Sequence, residues 1–188
     1  MSVRLVLVAV LVLALGGLLT GGVAAAAGTE TYELVLEVPN VSRAPSGDQV
    51  AVTGEGMFSV HPKSVTASGS FTHTDGQGNV LASGTWTATE LLSFQLYGCG
   101  IVHNFPTPGA TTPLPPNFCG GALKMGVTLT PQGTSLAIPG VLSVFCIVGE
   151  NPPNSHDDPT GEGIHLVVPG IADFNKIVAG MNIYMRTS

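Results

Sequence analysis

Apolar and polar side chains alternate in short runs along most of this chain, and glycine or proline breaks each run before a helical period can develop. Tyr32, Leu34, Leu36 and Val38 alternate with Glu33 and Glu37, the period of two expected of a strand with one wet face. Pro39 and Asn40 are expected to end that strand. Past the turn-rich stretch 42–48, residues 50–60, 65–74 and 80–89 read as three more strands. Two of these share a pattern, since ASGSFTHT at 67–74 and ASGTWTAT at 82–89 are near repeats joined by Asp75, Gly76, Gln77, Gly78 and Asn79. That linker is turn chemistry, so the pair predicts a hairpin.

The hairpin register follows from the side chains. With the loop at 76–79, Phe71 faces Gly84 and Trp86 faces Gly69, so each ring covers the glycine of the other strand. Val65, Ala67, Phe71, Val80, Ala82, Trp86 and Ala88 then share a core face. Ser68, Ser70, Thr72, Thr74, Ser83, Thr85, Thr87 and Thr89 share a wet one. A turn at 61–64 extends the sheet to a third strand, with Phe58 opposite Ala67, Gly56 opposite Gly69 and Gly54 opposite Phe71. The glycine band on the core face favours strong coiling.

The later chain is less regular. Leu91, Leu92, Phe94, Leu96 and Tyr97 form an apolar run without a clean period. Residues 100–118 form a Pro-rich loop carrying Pro106, Pro108, Pro113, Pro115 and Pro116. Leu123, Met125, Val127 and Leu129 alternate again, and 141–148 reads as a strand buried on both faces at the centre of a sheet. A polar loop at 150–161 precedes strands near 164–168 and 181–185, and only 171–179 hints at a turn of helix. Together these predict an all-β fold in residues 28–188, a single antiparallel domain of roughly 8–10 strands, either a coiled β-sandwich or a closed β-barrel.

The first 27 residues differ. Arg4 precedes the run LVLVAVLVLAL at 5–15, and small residues up to Ala25 and Ala27 complete a signal-peptide pattern with Gly28 as the new terminus. The expectation is a cleaved N-terminal signal helix at 1–27 and a secreted or extracytoplasmic product with no membrane contact after cleavage. A retained anchor helix is the alternative.

Composition narrows the function classes. Among 188 residues, 44% are hydrophobic and 10% charged, too apolar for a disordered chain. Net charge is −6, and loss of Arg4 with the leader makes it −7, so no basic field exists for nucleic acid. No phosphate-binding glycine loop, dinucleotide fingerprint or nucleophile elbow occurs, and no cofactor is expected.

Three cysteines in an exported chain allow one disulfide. Cys99 and Cys119 bracket the Pro-rich loop, and their pairing is the expected one; pairings through Cys146, which sits in an apolar strand, are the alternatives. His156, Asp158, Glu162 and His165, with Asp157 among them, form the one cluster of metal-ligand types, at a spacing that matches no established motif. The reading that follows is an exported, non-enzymatic β protein, a binding or structural module for an unidentified ligand, protein or carbohydrate. Its rivals are a small-ligand barrel with an apolar cavity beside Trp86 and Phe71, and a metal-dependent protein using 156–165.

Overall fold

The structure is a computed structural model that describes residues 29–152 and 161–188. The expected leader at 1–27 lies outside the described residues, as do His156 and Asp158. Twelve strands occur among them, against the eight to ten expected, because short strands form within stretches read as loop or helical turn: β1 Thr31–Arg43, β2 Gln49–Ser59, β3 Ser64–Thr74, β4 Val80–Cys99, β5 Ile101–His103, β6 Thr111–Pro113, β7 Phe118–Pro131, β8 Ile138–Cys146, β9 Gly163–Val168, β10 Ala172–Phe174, β11 Lys176–Ala179 and β12 Asn182–Arg186. All pairings are antiparallel, and no helix occurs among the described residues. The helical turn expected at 171–179 is replaced by β10 and β11.

The predicted hairpin forms in the predicted register, with Phe71 opposite Gly84 and Trp86 opposite Gly69. Trp86 also reaches further than one strand. Its ring crosses Gly69 to lie over Gly54, where a Cβ would come within 2.5 Å of the indole, and its Nε1–H donates to Thr53 O at 2.9 Å. That reach depends on a correction to the expected β2–β3 register. Gly54 pairs with Gly69, Gly56 with Ala67 and Phe58 with Val65, because the turn spans 60–63 rather than 61–64. A slip of two residues leaves every side chain on its face, so alternation alone could not detect it. Val80, expected inside, is exposed: the ladder shifts between His73 and Thr74 and the strand end runs past the core.

β1 does not end at Pro39. Its pairing with β2 jumps from Leu36↔Gly54 to Asn40↔Val52, and the extra residues form a bulge that absorbs the proline, which has no N–H to give to a ladder. Asn40 and Ser42 then enter the interior fully buried.

β4 and β7 form the longest pairing, and their mismatch explains the unpatterned apolar run. β7 keeps strict alternation, burying Cys119, Leu123, Met125, Val127 and Leu129. β4 gains a residue at each of three register shifts, after Ala88, after Leu91 and after Leu96. Its inward positions therefore run Trp86, Leu91, Tyr97, changing parity along the strand. β8 lies between β7 and β9 as expected, but only Leu142, Val144 and Cys146 are fully covered; Val141, Ser143 and Phe145 on its other face are half-buried.

The sheet order β10-β9-β8-β7-β12-β1-β2-β3-β4 returns on itself through the β4–β7 ladder. The return is not a clean barrel. β12 joins β7 only where Tyr184 meets Cys119 and Met185 meets Phe118, while β8, β9 and β10 branch away. Tyr32, Phe58, Phe94 and Tyr184 form an aromatic cluster inside this closing region, with ring centroids 4.8–5.6 Å apart. The Tyr184 hydroxyl donates to Val144 O at 2.8 Å, tying β12 to β8.

Candidate ligand pocket

A disulfide joins Cys99 at the end of β4 to Cys119 in β7, where the two residues are direct cross-strand partners. Cys146 is the buried free thiol. The segment between the bonded cysteines is more ordered than its composition suggests. β5 and β6 pair through Val102↔Thr112, and Leu114 N–H donates to Gly100 O while Gly149 N–H donates to Ile101 O. Val102 is buried and Leu114 packs against the core. Glycine makes the approach of the neighbouring chain possible, since a Cβ on Gly149 would stand 2.6 Å from Gly98 N.

This hairpin forms one wall of a pocket of about 190 Å³ at the disulfide end of the molecule. Val102, Phe105, Leu114 and Phe118 line one side and Val148, Met181 and Ile183 the other, with Glu37, Glu162 and Asn182 supplying the polar part. Glu162 is 8% exposed, and its Oε1 accepts the Asn182 N–H at 2.7 Å. Burial pushes its carboxyl up from 4.5 to about 7; the Asn182 and Ile147 N–H groups pull the other way, and the charge of Glu37 adds to the rise.

Asn182 is 3% exposed. Its Nδ2 donates to Phe145 O at 3.0 Å and Gly163 O at 3.2 Å, which fixes which end of the carboxamide is nitrogen. Its Oδ1, the free end of the group, has no hydrogen-bond partner among the described residues.

Of the metal-ligand candidates, Glu162 and His165 lie among the described residues. His165 lies three residues past Glu162, on the outer face of β9, opposite Ser143 and edge-on to Phe145 at 5.0 Å. Burial lowers its pKa and Asp173 partly offsets this. Glu162 is inside, so the structure does not bring these two residues together, and no group of three His, Cys, Asp or Glu suited to a metal occurs among the described residues. Lys124, Ser143, His165 and Asp173 share an open groove on the outer face. No hydrogen bond joins Ser143 to His165 there, so the serine has no positioned base.

Cys146 is fully buried, and burial followed by the charge of Glu162 holds its thiol well above the usual range. The interior between Trp86, Val52, Val127, Leu129, Leu142 and Leu166 leaves no room for a water molecule. An apolar notch of about 140 Å³ does open beside Phe71, between Val50, Leu129, Ile138, Val168 and Phe174. His73 closes its rim, edge-on to Phe174, with Nε2 3.4 Å from Asp48.

Sequence reasoning reached Glu162 as a metal-ligand candidate and missed Asn182, a lone amide in a short strand that carries no spacing signal. Comparison with protein-family models, with curated proteins and with solved structures found no match.

Proposed function

We propose that this is an exported, non-enzymatic binding protein that takes a small molecule into the pocket beneath the disulfide-tied β5–β6 hairpin. The observation that carries the reading is a largely apolar pocket of about 190 Å³, lined by Val102, Phe105, Leu114, Phe118 and Met181, beside a hairpin that the disulfide ties down. The disulfide is compatible with an oxidising, extracytoplasmic setting, and no helix among the described residues is long and apolar enough to cross a membrane. In this reading the partly closed, coiled sheet is a scaffold, and the loops at the disulfide end carry the recognition. A pocket of this size takes one ring or a short chain.

The test is a fragment titration of the mature protein with benzyl alcohol, followed by methyl NMR. Saturable shifts at Val102, Met181 and Ile183, lost when Cys99 and Cys119 are both replaced by serine, are expected. Absence of saturable shifts from those methyls for neutral and charged fragments alike overturns the reading. A second reading, an apolar ligand beside Phe71, is favoured by the notch there, and shifts at Val50, Ile138 and Val168 instead would support it.

A further inference from the structure

The β4–β7 ladder runs from the disulfide end of the molecule, at Cys99↔Cys119, to Gly84↔Pro131 at the other end. There the strand pairings bring three turns together: β3–β4 at 75–79, β7–β8 at 132–137 and β9–β10 at 169–171. In or directly beside these turns stand the four most exposed large apolar side chains among the described residues. They are Val80 at 63%, Ile171 at 62%, Leu136 at 59% and Leu81 at 56%, and every other such side chain is 41% exposed or less. Folding gives no reason to gather them at one end, whereas a contiguous exposed apolar region marks a binding site.

The turns surround the apolar notch beside Phe71. Ile171 is part of its lining, Leu81 directly precedes Ala82 of the lining, and Leu136 stands two residues before Ile138 of the lining. Inward, the notch of about 140 Å³ reaches Val50, Leu129, Leu166 and Phe174. His73 is the one polar side chain on its wall, and Asp48 and Phe174 already engage that ring. An apolar recess of this size stays dry and accepts a hydrocarbon of a few carbons. Here the apolar surface does not stop at the mouth but continues onto the turns, so an occupant longer than the notch keeps gaining contact. Charge at this end narrows the occupant further. Asp48, Asp75 and Asp173 outnumber Arg43 and Lys176 there, which disfavours an anionic head group and an anionic bilayer surface. Shallow contact with a bilayer would use the turns and leave the notch unfilled; a single chain uses both.

We propose that this end binds the alkyl chain of a free, single-chain amphiphile with an uncharged head. The chain end enters the notch between Val50, Phe71 and Phe174, and the following methylenes lie against Leu81, Leu136 and Ile171. This rests on the second reading above, whose ligand class it names, and is independent of the pocket at the disulfide end. The rim is set before a ligand arrives, since Asp75 accepts the Gln77 and Asn79 N–H groups at 2.9 and 2.8 Å and so fixes the turn that leads into Val80 and Leu81.

The experiment titrates the mature protein with 1-butanol, 1-hexanol and 1-octanol by methyl NMR. Saturable shifts are expected at Val50, Ile138 and Val168, with affinity climbing about three- to fourfold per added methylene, the factor for taking one out of water. The double variant Leu136→Ser, Ile171→Ser changes two exposed positions where folding is not at risk. It should weaken 1-octanol about fivefold or more and leave 1-butanol, which the notch alone holds, within about twofold. Saturable binding without chain-length dependence, or an unchanged 1-octanol affinity in the double variant, overturns the alkyl-chain proposal while leaving an apolar ligand beside Phe71 in place. Absence of saturable shifts at those methyls for all three alcohols overturns both. Co-sedimentation with phosphatidylcholine vesicles in place of saturable alcohol binding also overturns it, and assigns the apolar turns to a bilayer. The disulfide-end pocket is read separately, at Val102, Met181 and Ile183, and stands or falls on those shifts alone.

Discussion

Trp86 is one side chain on which three strands depend. Its ring fills the core and shields the backbone at Gly69 and Gly54, and its N–H satisfies the carbonyl of Thr53. Neither glycine can be replaced without a clash, since a Cβ at Gly69 would stand 1.9 Å from that same carbonyl. Trp86→Ala should therefore destabilise by about 3–5 kcal/mol in urea unfolding, as a large core truncation does. Trp86→Phe should keep much of the packing yet still cost about 1–3 kcal/mol, because the Thr53 carbonyl loses its donor. If Trp86→Phe were as stable as the parent, the hydrogen bond would have no separate weight. The ring-over-glycine pairing was legible because two near-identical segments put Phe and Trp at fixed offsets from glycine. The second strand it reaches was not, because a two-residue slip leaves alternation unchanged.

The disulfide works through an element rather than a residue. β5 and β6 are three residues each and too short to hold a fold alone. Their anchorage comes from the Cys99–Cys119 bond and from backbone bonds to Gly100 and Gly149. Replacing both cysteines by serine should lower unfolding stability by about 3 kcal/mol in the chain-entropy view. The same variant should admit limited proteolysis within 100–118 under conditions where the parent resists it. The bracketing cysteines made this bond readable in the sequence. The hairpin between them was not, because five prolines mask any period and its order comes from contacts with residues near 148, far along the chain. The bulges of β4 were hidden for a related reason: each added residue flips the facing, so the run 91–97 looks apolar throughout although β7 opposite it alternates faithfully.

At the scale of the molecule, the closing region carries a standing cost that depends on pH. Glu162 has its carboxyl raised from 4.5 to about 7, so folding favours its protonated form. The associated stability is fully present below about pH 4.5 and is lost as pH rises toward 7, a difference of about 3 kcal/mol for one group. Urea midpoints of Glu162→Gln should thus vary less between those pH values than the parent's, with the gap widening toward neutral pH. Identical profiles would show that the carboxyl is hydrated in the folded state. Fold class was legible from alternation and turn chemistry. The way β12 closes β1 onto β7 was not, because five residues near the C-terminus carry no mark of which edges they join.

Cys146 turns the buried seam between β7 and β9 into a clock. Its sulfur lies within the ladder, donating to Cys119 O at 3.6 Å, and is fully buried. A thiol reagent can reach it only when β8 parts from its neighbours. The rate at which the native protein takes up such a reagent therefore times the opening of that seam, with no label introduced and no side chain changed. Compared with the rate of global unfolding, that interval tells whether the sheet breathes along β8 or yields only as a whole.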